Sequence, residues 1–209
     1  MVGFYNYTVY ATYIGMLSAV AGILFAADYD TFSAVLCLII CGVVDAVDGT
    51  IARTKKNRTD SEKRFGIEID SLSDLVAFGV LPAALVFSVS QSTLARIAAL
   101  FYALCALIRL AYFDVIAHEK LLSHKANKSY VGLPVTSCAW IIPLAVCLIP
   151  YISDKTVTVL MPILLFVMGI LFIAPFRLKK PGLLFLILGV LLSLGLLAFI
   201  LWQHNTGLL

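Results

Sequence analysis

Seven apolar runs, each near the length of a membrane span, follow one another along this 209-residue chain. A hydrocarbon layer about 30 Å thick is crossed by about 20 helical residues. No water is available there, so backbone N–H and C=O groups must pair inside the protein, which a helix does within its own segment. Helices are predicted at roughly 8–27, 31–52, 66–88, 93–117, 133–151, 156–175 and 183–203. Composition agrees. Hydrophobic residues make up 62% and charged residues 13% of the chain, against roughly 45–50% and about 25% in soluble domains. The connections are short and no internal repeat is visible. The expected fold is all-α: a polytopic membrane helical bundle of about six to eight transmembrane helices, forming one domain over residues 1–209.

The net charge of +3 matters less than its placement. Arg53, Lys55, Lys56, Arg58, Lys63 and Arg64 crowd the second connection. Lys120, Lys125 and Lys128 lie in the fourth, and Arg177, Lys179 and Lys180 in the sixth. These alternate connections share one side of the membrane and hold 12 of the 15 Lys and Arg residues. Such asymmetry predicts a cytoplasmic location for that side and for the N-terminus. Basic loops also attract anionic lipid headgroups. Topology accounts for the basic residues, and no recognition module is visible, so a nucleic-acid partner is not expected. No basic stretch precedes the first apolar run, so a cleaved signal peptide is not expected either. Cys37, Cys41, Cys105, Cys138 and Cys147 all fall within predicted spans and read as small buried residues.

Acid is the anomaly. Asp45, Asp48, Glu68, Asp70 and Asp74 lie in or beside apolar helices, where an uncompensated carboxylate costs several kcal/mol. Asp45 and Asp48 are three residues apart, and Asp70 and Asp74 are four apart, so each pair shares a helix face. Antiparallel helices joined by the 53–65 connection can point all four aspartates at one place. The simplest compensation is a hard divalent cation, Mg²⁺ or Mn²⁺, bound through carboxylate oxygens. Gly49 and Gly66 remove side chains where a ligand approaches the backbone, Ala52 is small, and Arg53 offers a planar fork to phosphate oxygens. Polar helix faces forming a structural ion-pair network are the alternative.

The motif Asp45-x-x-Asp48-Gly49-x-x-Ala52-Arg53, followed by Gly66-x-x-x-Asp70-x-x-x-Asp74, resembles the signature of the CDP-alcohol phosphotransferase family. One departure is a longer interval between Arg53 and Gly66, filled by polar and basic residues. Further on, Phe65–Asp74 and Phe78-Gly79-Val80-Leu81-Pro82-Ala83 are similar to the phosphatidylserine synthase branch of that family. Ile108–Asp114 resembles its R-L-A-R-F segment, with Tyr112 in place of the second Arg. Tyr130–Val135 resembles its F-x-G-L-P-x-P segment, with Val135 in place of the second Pro.

The resemblance implies a membrane enzyme that transfers a phosphatidyl group from CDP-diacylglycerol to the hydroxyl of L-serine and releases CMP. It implies two metal ions, one held by Asp45, Asp48 and Asp70, the other by Asp45, Asp70 and Asp74. Asp74 is also the expected general base. Asp48, Gly49, Ala52, Arg53 and Gly66 are the expected nucleotide and phosphate contacts. A homodimer in a prokaryotic cell membrane, with the site facing the cytoplasm, is expected.

Arg109 lies within a predicted span and needs a partner. It suits the carboxylate of serine, or an ion pair with Asp114 or Glu68, or a phosphate. Lys128 and Tyr130 are further acceptor or phosphate candidates, whereas His118 and His124 read as solvated loop residues. Gly79 and Pro82 are expected to bend the third helix, either opening a groove for acyl chains or simply kinking it for packing. Other acceptors, glycerol phosphate or inositol phosphate, need an additional basic pocket within the spans. An intramembrane prenyltransferase separates its aspartate motifs more widely, and a divalent-cation transporter often shows inverted repeats.

Overall fold

The computed structural model describes the backbone of residues 3, 7–55, 59–123, 129–179 and 183–206. Side chains are described throughout these except at 8, 51–53, 120–123, 129–131, 177–179, 183–191, 194 and 204. The helices are α1 (Tyr10–Ala27), α2 (Thr31–Thr54), α3 (Asp60–Asp74), α4 (Leu81–Ser90), α5 (Thr93–Ser123), α6 (Cys138–Leu148), α7 (Asp154–Ile173) and α8 (Leu183–Asn205). A π-helical turn, Leu75–Val80, joins α3 to α4 as one continuous rod. The eight α segments therefore correspond to the seven predicted helices. Among the described residues, Tyr10–Ala27, Thr31–Thr50, Asp60–Ser90, Thr93–Glu119 and Asp154–Ile173 are long and apolar enough to cross a membrane, and Val135–Tyr151 is a shorter apolar helix. The protein is an all-α polytopic membrane bundle.

Local chemistry sets the helix ends. Asp30 caps α2 by accepting from the Ser33 amide at 3.0 Å. Thr59 and Glu62 form a reciprocal capping box at the start of α3, and Lys55 ties the end of α2 to Glu62 at 2.7 Å. This cap explains why α3 begins at Asp60 rather than at the predicted residue 66: polar residues read as loop form an exposed first turn. Likewise α5 runs to Ser123, beyond the predicted 117. The fifth predicted run starts later than expected. Gly132 takes φ +70° and Pro134 follows, so helix begins only at Val135.

Two prolines leave carbonyls that neighbouring helices recover. Pro82 has no N–H for the carbonyl of Phe78, four residues earlier; Tyr102 Oη of α5 donates to that oxygen at 2.8 Å. Pro162 of α7 similarly leaves the Thr158 carbonyl, which accepts from Ser90 Oγ at 2.9 Å. Gly79 and Pro82 are buried, and a Cβ on Gly79 would meet Leu75 Cδ1 at 3.1 Å and Ala106 Cβ at 3.2 Å. The irregularity in this rod thus serves packing against α5, and no groove for acyl chains opens at these two residues.

Helices approach through small residues. Gly15, Ala19, Gly22 and Ala26 form the buried stripe of α1. A Cβ on Gly22 would lie 2.8 Å from Cys37 Cβ on α2 and 2.9 Å from Leu81 Cδ1 on α4. Such stripes allow close van der Waals contact where lipid provides no hydrophobic drive for helix association. The outward faces carry Ile14, Leu17 and Leu24 on α1, and Leu100, Leu104 and Leu107 on α5. All five cysteines are buried and unpaired with one another, as predicted.

At one end of the bundle, β1 (Ser129–Val131) pairs antiparallel with β2 (Arg177–Lys179). Two of the three basic connections are therefore joined backbone to backbone, in line with their common side.

Candidate active site

α2 carries Asp45 and Asp48, and α3 carries Asp70 and Asp74. The 3.6-residue repeat puts each pair on one face, and the hairpin between α2 and α3 turns those faces together. α1 closes the third side. Its backbone is held behind both aspartate helices: Cys41 Sγ donates to the Gly15 carbonyl at 3.4 Å, and Ser73 Oγ to the Thr12 carbonyl at 3.4 Å. The resulting cavity is about 10 Å³ and is lined by all four aspartates together with Thr12, Gly15 and Ser73.

One carboxylate oxygen each from Asp45, Asp70 and Asp74 lies within 4.8 Å of the other two. Oxygens around a hard divalent ion sit about 2.0–2.6 Å from it, so opposite ligands are about 4–5 Å apart. The triad fits that requirement. Asp48, only 8% exposed, lines the same cavity as the fourth carboxylate. Among the described residues, no Lys, Arg or His forms an ion pair with any of the four. Buried like charges repel, and removing them from water costs several kcal/mol per ion. A divalent cation relieves both penalties, and the donor set is the all-oxygen type that Mg²⁺ and Mn²⁺ prefer.

Gly49 faces open space: a Cβ there would meet nothing within 4 Å. Packing therefore does not account for a glycine at this position. Gly66 lies in α3, one turn before Asp70. Ala52 and Arg53 belong to α2, but their side chains lie outside the described set, as does that of Tyr130 in β1. Lys128 and His124 fall outside the described residues altogether.

Arg109 is 5% exposed on α5. Its Nη1 donates to the Phe172 carbonyl at 2.9 Å, in the last turn of α7, and its guanidinium lies 4.7 Å from the centre of the Phe113 ring. A cation at a helix C-terminus satisfies carbonyls that have no intrahelical partner. Gly132 is part of the same junction, where a Cβ would lie 2.6 Å from Arg109 Nη1.

The anticipated ion-pair partners of Arg109 are engaged elsewhere. Asp114 accepts a hydrogen bond from Ser71 Oγ, linking α5 to α3 beside Asp70. Glu68 pairs with His118 Nε2 at 2.7 Å, and His118 lies in α5 rather than in a loop. Sequence reasoning missed these two cross-helix pairs. Asp114 was visible as an acid ending the segment similar to R-L-A-R-F, but only the register of α3 against α5 reveals its partner.

Known proteins point the same way. The profile of the CDP-alcohol phosphatidyltransferase family matches residues 6–188. Over 127 residues the chain is 36% identical to a Methanocaldococcus jannaschii protein named CDP-diacylglycerol–serine O-phosphatidyltransferase, covering 61% of this chain and 55% of that one. Proteins of the same name are 30% identical over 145 residues in Helicobacter pylori (68% and 56% coverage) and 40% identical over 107 residues in Saccharomyces cerevisiae (49% and 37%). The chain thus spans about half the length of the first of these relatives. A family profile covering most of the chain, together with four aspartates at the signature spacing meeting in one cavity, establishes that this protein belongs to the CDP-alcohol phosphatidyltransferase family.

Proposed function

We propose that the protein transfers the phosphatidyl group of CDP-diacylglycerol to the hydroxyl of L-serine, yielding phosphatidylserine and CMP. The observation that carries this reading is the meeting of Asp45, Asp48, Asp70 and Asp74 at one cavity between membrane-spanning rods. The acceptor assignment is supported by the names of the relatives in an archaeon, a bacterium and a yeast.

In this proposal Asp45, Asp48 and Asp70 hold one divalent ion, and Asp45, Asp70 and Asp74 a second. Bound Mg²⁺ or Mn²⁺ supplies Lewis-acid neutralisation of the diphosphate. Arg53 and the backbone at Gly49 and Gly66 seat the CDP moiety, with Ala52 leaving room for it; the open space beside Gly49 supports this role. Asp74 takes the proton of the serine hydroxyl. The serine oxygen forms a bond to the lipid-side phosphorus, and the bond from that phosphorus to the bridging oxygen breaks, its electron pair leaving with CMP. Arg109, Lys128 and Tyr130 contribute to the acceptor side, Arg109 through a guanidinium suited to the serine carboxylate. The acyl chains remain among the helices while the diphosphate sits toward the cytoplasm, the side assigned to the basic connections. A homodimer in a prokaryotic cell membrane completes the proposal.

The test is CMP release by purified protein with CDP-diacylglycerol and Mg²⁺ or Mn²⁺, comparing L-serine, glycerol phosphate and inositol phosphate. Serine-dependent CMP release with formation of phosphatidylserine is expected. Turnover with a phosphate-bearing acceptor and none with serine rejects the assignment.

A further inference from the structure

Resting on the serine-transfer reading, we infer that Asp114 is a specificity-determining residue that receives the ammonium group of the acceptor. Four carboxylates are committed to the cavity between α2 and α3. Asp114 is a fifth, brought to the neighbouring side by α5 and absent from the signature motif. Its carboxylate is half-buried and accepts from Ser71 Oγ. Ser71 adjoins Asp70 in sequence and lies three residues before Asp74, so this hydrogen bond anchors Asp114 beside the reaction centre. Among the described residues no Lys or Arg forms an ion pair with Asp114. One turn further along α5, His118 is engaged with Glu68.

The chemistry of the acceptor matches this placement. Serine brings an ammonium group, which donates hydrogen bonds and accepts none. An ionised carboxylate, oriented by a hydroxyl donor and retaining unused lone pairs, is its natural counterpart. The same negative charge disfavours glycerol phosphate and inositol phosphate, which carry anionic phosphate and no cation. Asp114 thus attracts one acceptor class and repels the other, the two-sided arrangement that specificity requires.

The experiment compares L-serine with 3-hydroxypropionate, which keeps the hydroxyl and carboxylate of serine but lacks the amino group. Both are assayed with saturating CDP-diacylglycerol and Mg²⁺, using wild-type protein, Asp114→Asn, Asp114→Glu and Ser71→Ala. Thermal melting reports folding of each variant. In Asp114→Asn the KM for serine is expected to rise roughly 10- to 100-fold, as loss of a hydrogen bond to a charged group implies. The KM for 3-hydroxypropionate is expected to stay within about twofold, because that acceptor has no ammonium to lose. Asp114→Glu recovers part of the serine KM, and Ser71→Ala raises it by a smaller factor. An unchanged serine KM in Asp114→Asn, or an equal loss with both acceptors, overturns the inference. Should Asp114→Asn fail to fold, an unmoved serine KM in both Asp114→Glu and Ser71→Ala overturns it instead. Wild-type protein that uses a phosphate-bearing acceptor and not serine overturns both this inference and the reading it rests on. Serine turnover by wild type with an unmoved Asp114→Asn overturns this inference alone.

Discussion

Asp74 carries two demands at once in the proposed chemistry. It belongs to the oxygen triad with Asp45 and Asp70, and it is the assigned base. Asp74→Asn keeps the size of the side chain while removing its charge and basicity. We expect CMP release to fall by at least about 10²-fold, with CDP-diacylglycerol still bound in equilibrium dialysis. Near-normal turnover in this variant rejects the base role. The four aspartates were legible in the sequence because their partners are local: a spacing of three or four on one helix places two groups on one face whatever else the fold does. Glu68, Arg109 and Asp114 were not legible in the same way. Each finds its partner on another rod, His118, the Phe172 carbonyl and Ser71 respectively, and inter-helix register is not encoded in local spacing.

At the scale of elements, α1 holds the site closed although it contributes no carboxylate. Its stripe of Gly15, Ala19, Gly22 and Ala26 lets it lie close against α2 and α4. Gly22→Val is expected to force these rods apart, lowering stability by about 1–3 kcal/mol, the usual cost of overpacking. A lower midpoint in thermal unfolding in detergent checks this, and an unchanged midpoint rejects the packing argument. The rod from α3 to α4 shows a different limit of sequence reasoning. Pro82 signalled an irregularity, but its form, a π-helical turn whose freed Phe78 carbonyl is capped by Tyr102, depends on a side chain twenty residues beyond the proline. Polar residues 60–65 read as loop because they lack apolar periodicity, whereas the capping box and the Lys55–Glu62 bridge make them the first turn of a helix.

Across the whole molecule, charge is sorted twice. Basic residues gather in alternate connections, and the acidic signature gathers between α2 and α3. Without a cation, that acidic centre is a region of mutual repulsion. A cation that binds the folded protein and not the unfolded chain stabilises the fold by about 2.7 kcal/mol at a free concentration of 100 times its dissociation constant. Removing divalent ions with a chelator is therefore expected to lower the unfolding midpoint and abolish CMP release, and added Mg²⁺ or Mn²⁺ to restore both. A midpoint indifferent to chelator and to added metal contradicts the metal assignment.

The sequence alone determined the succession of apolar helices, their approximate limits, the gathering of basic residues in alternate connections and the four acids of the signature. All of these follow from composition and from intervals within single helices, which the hydrocarbon layer and the α-helical repeat make binding. Tertiary structure decided what each rod meets: α1 as the third wall of the cavity, Tyr102 on the carbonyl freed by Pro82, Arg109 in the last turn of α7, and Asp114 held by Ser71. These contacts depend on the rotation and depth of one rod against another. Small-residue packing and cross-helix hydrogen bonds set that relation only after the rods have assembled.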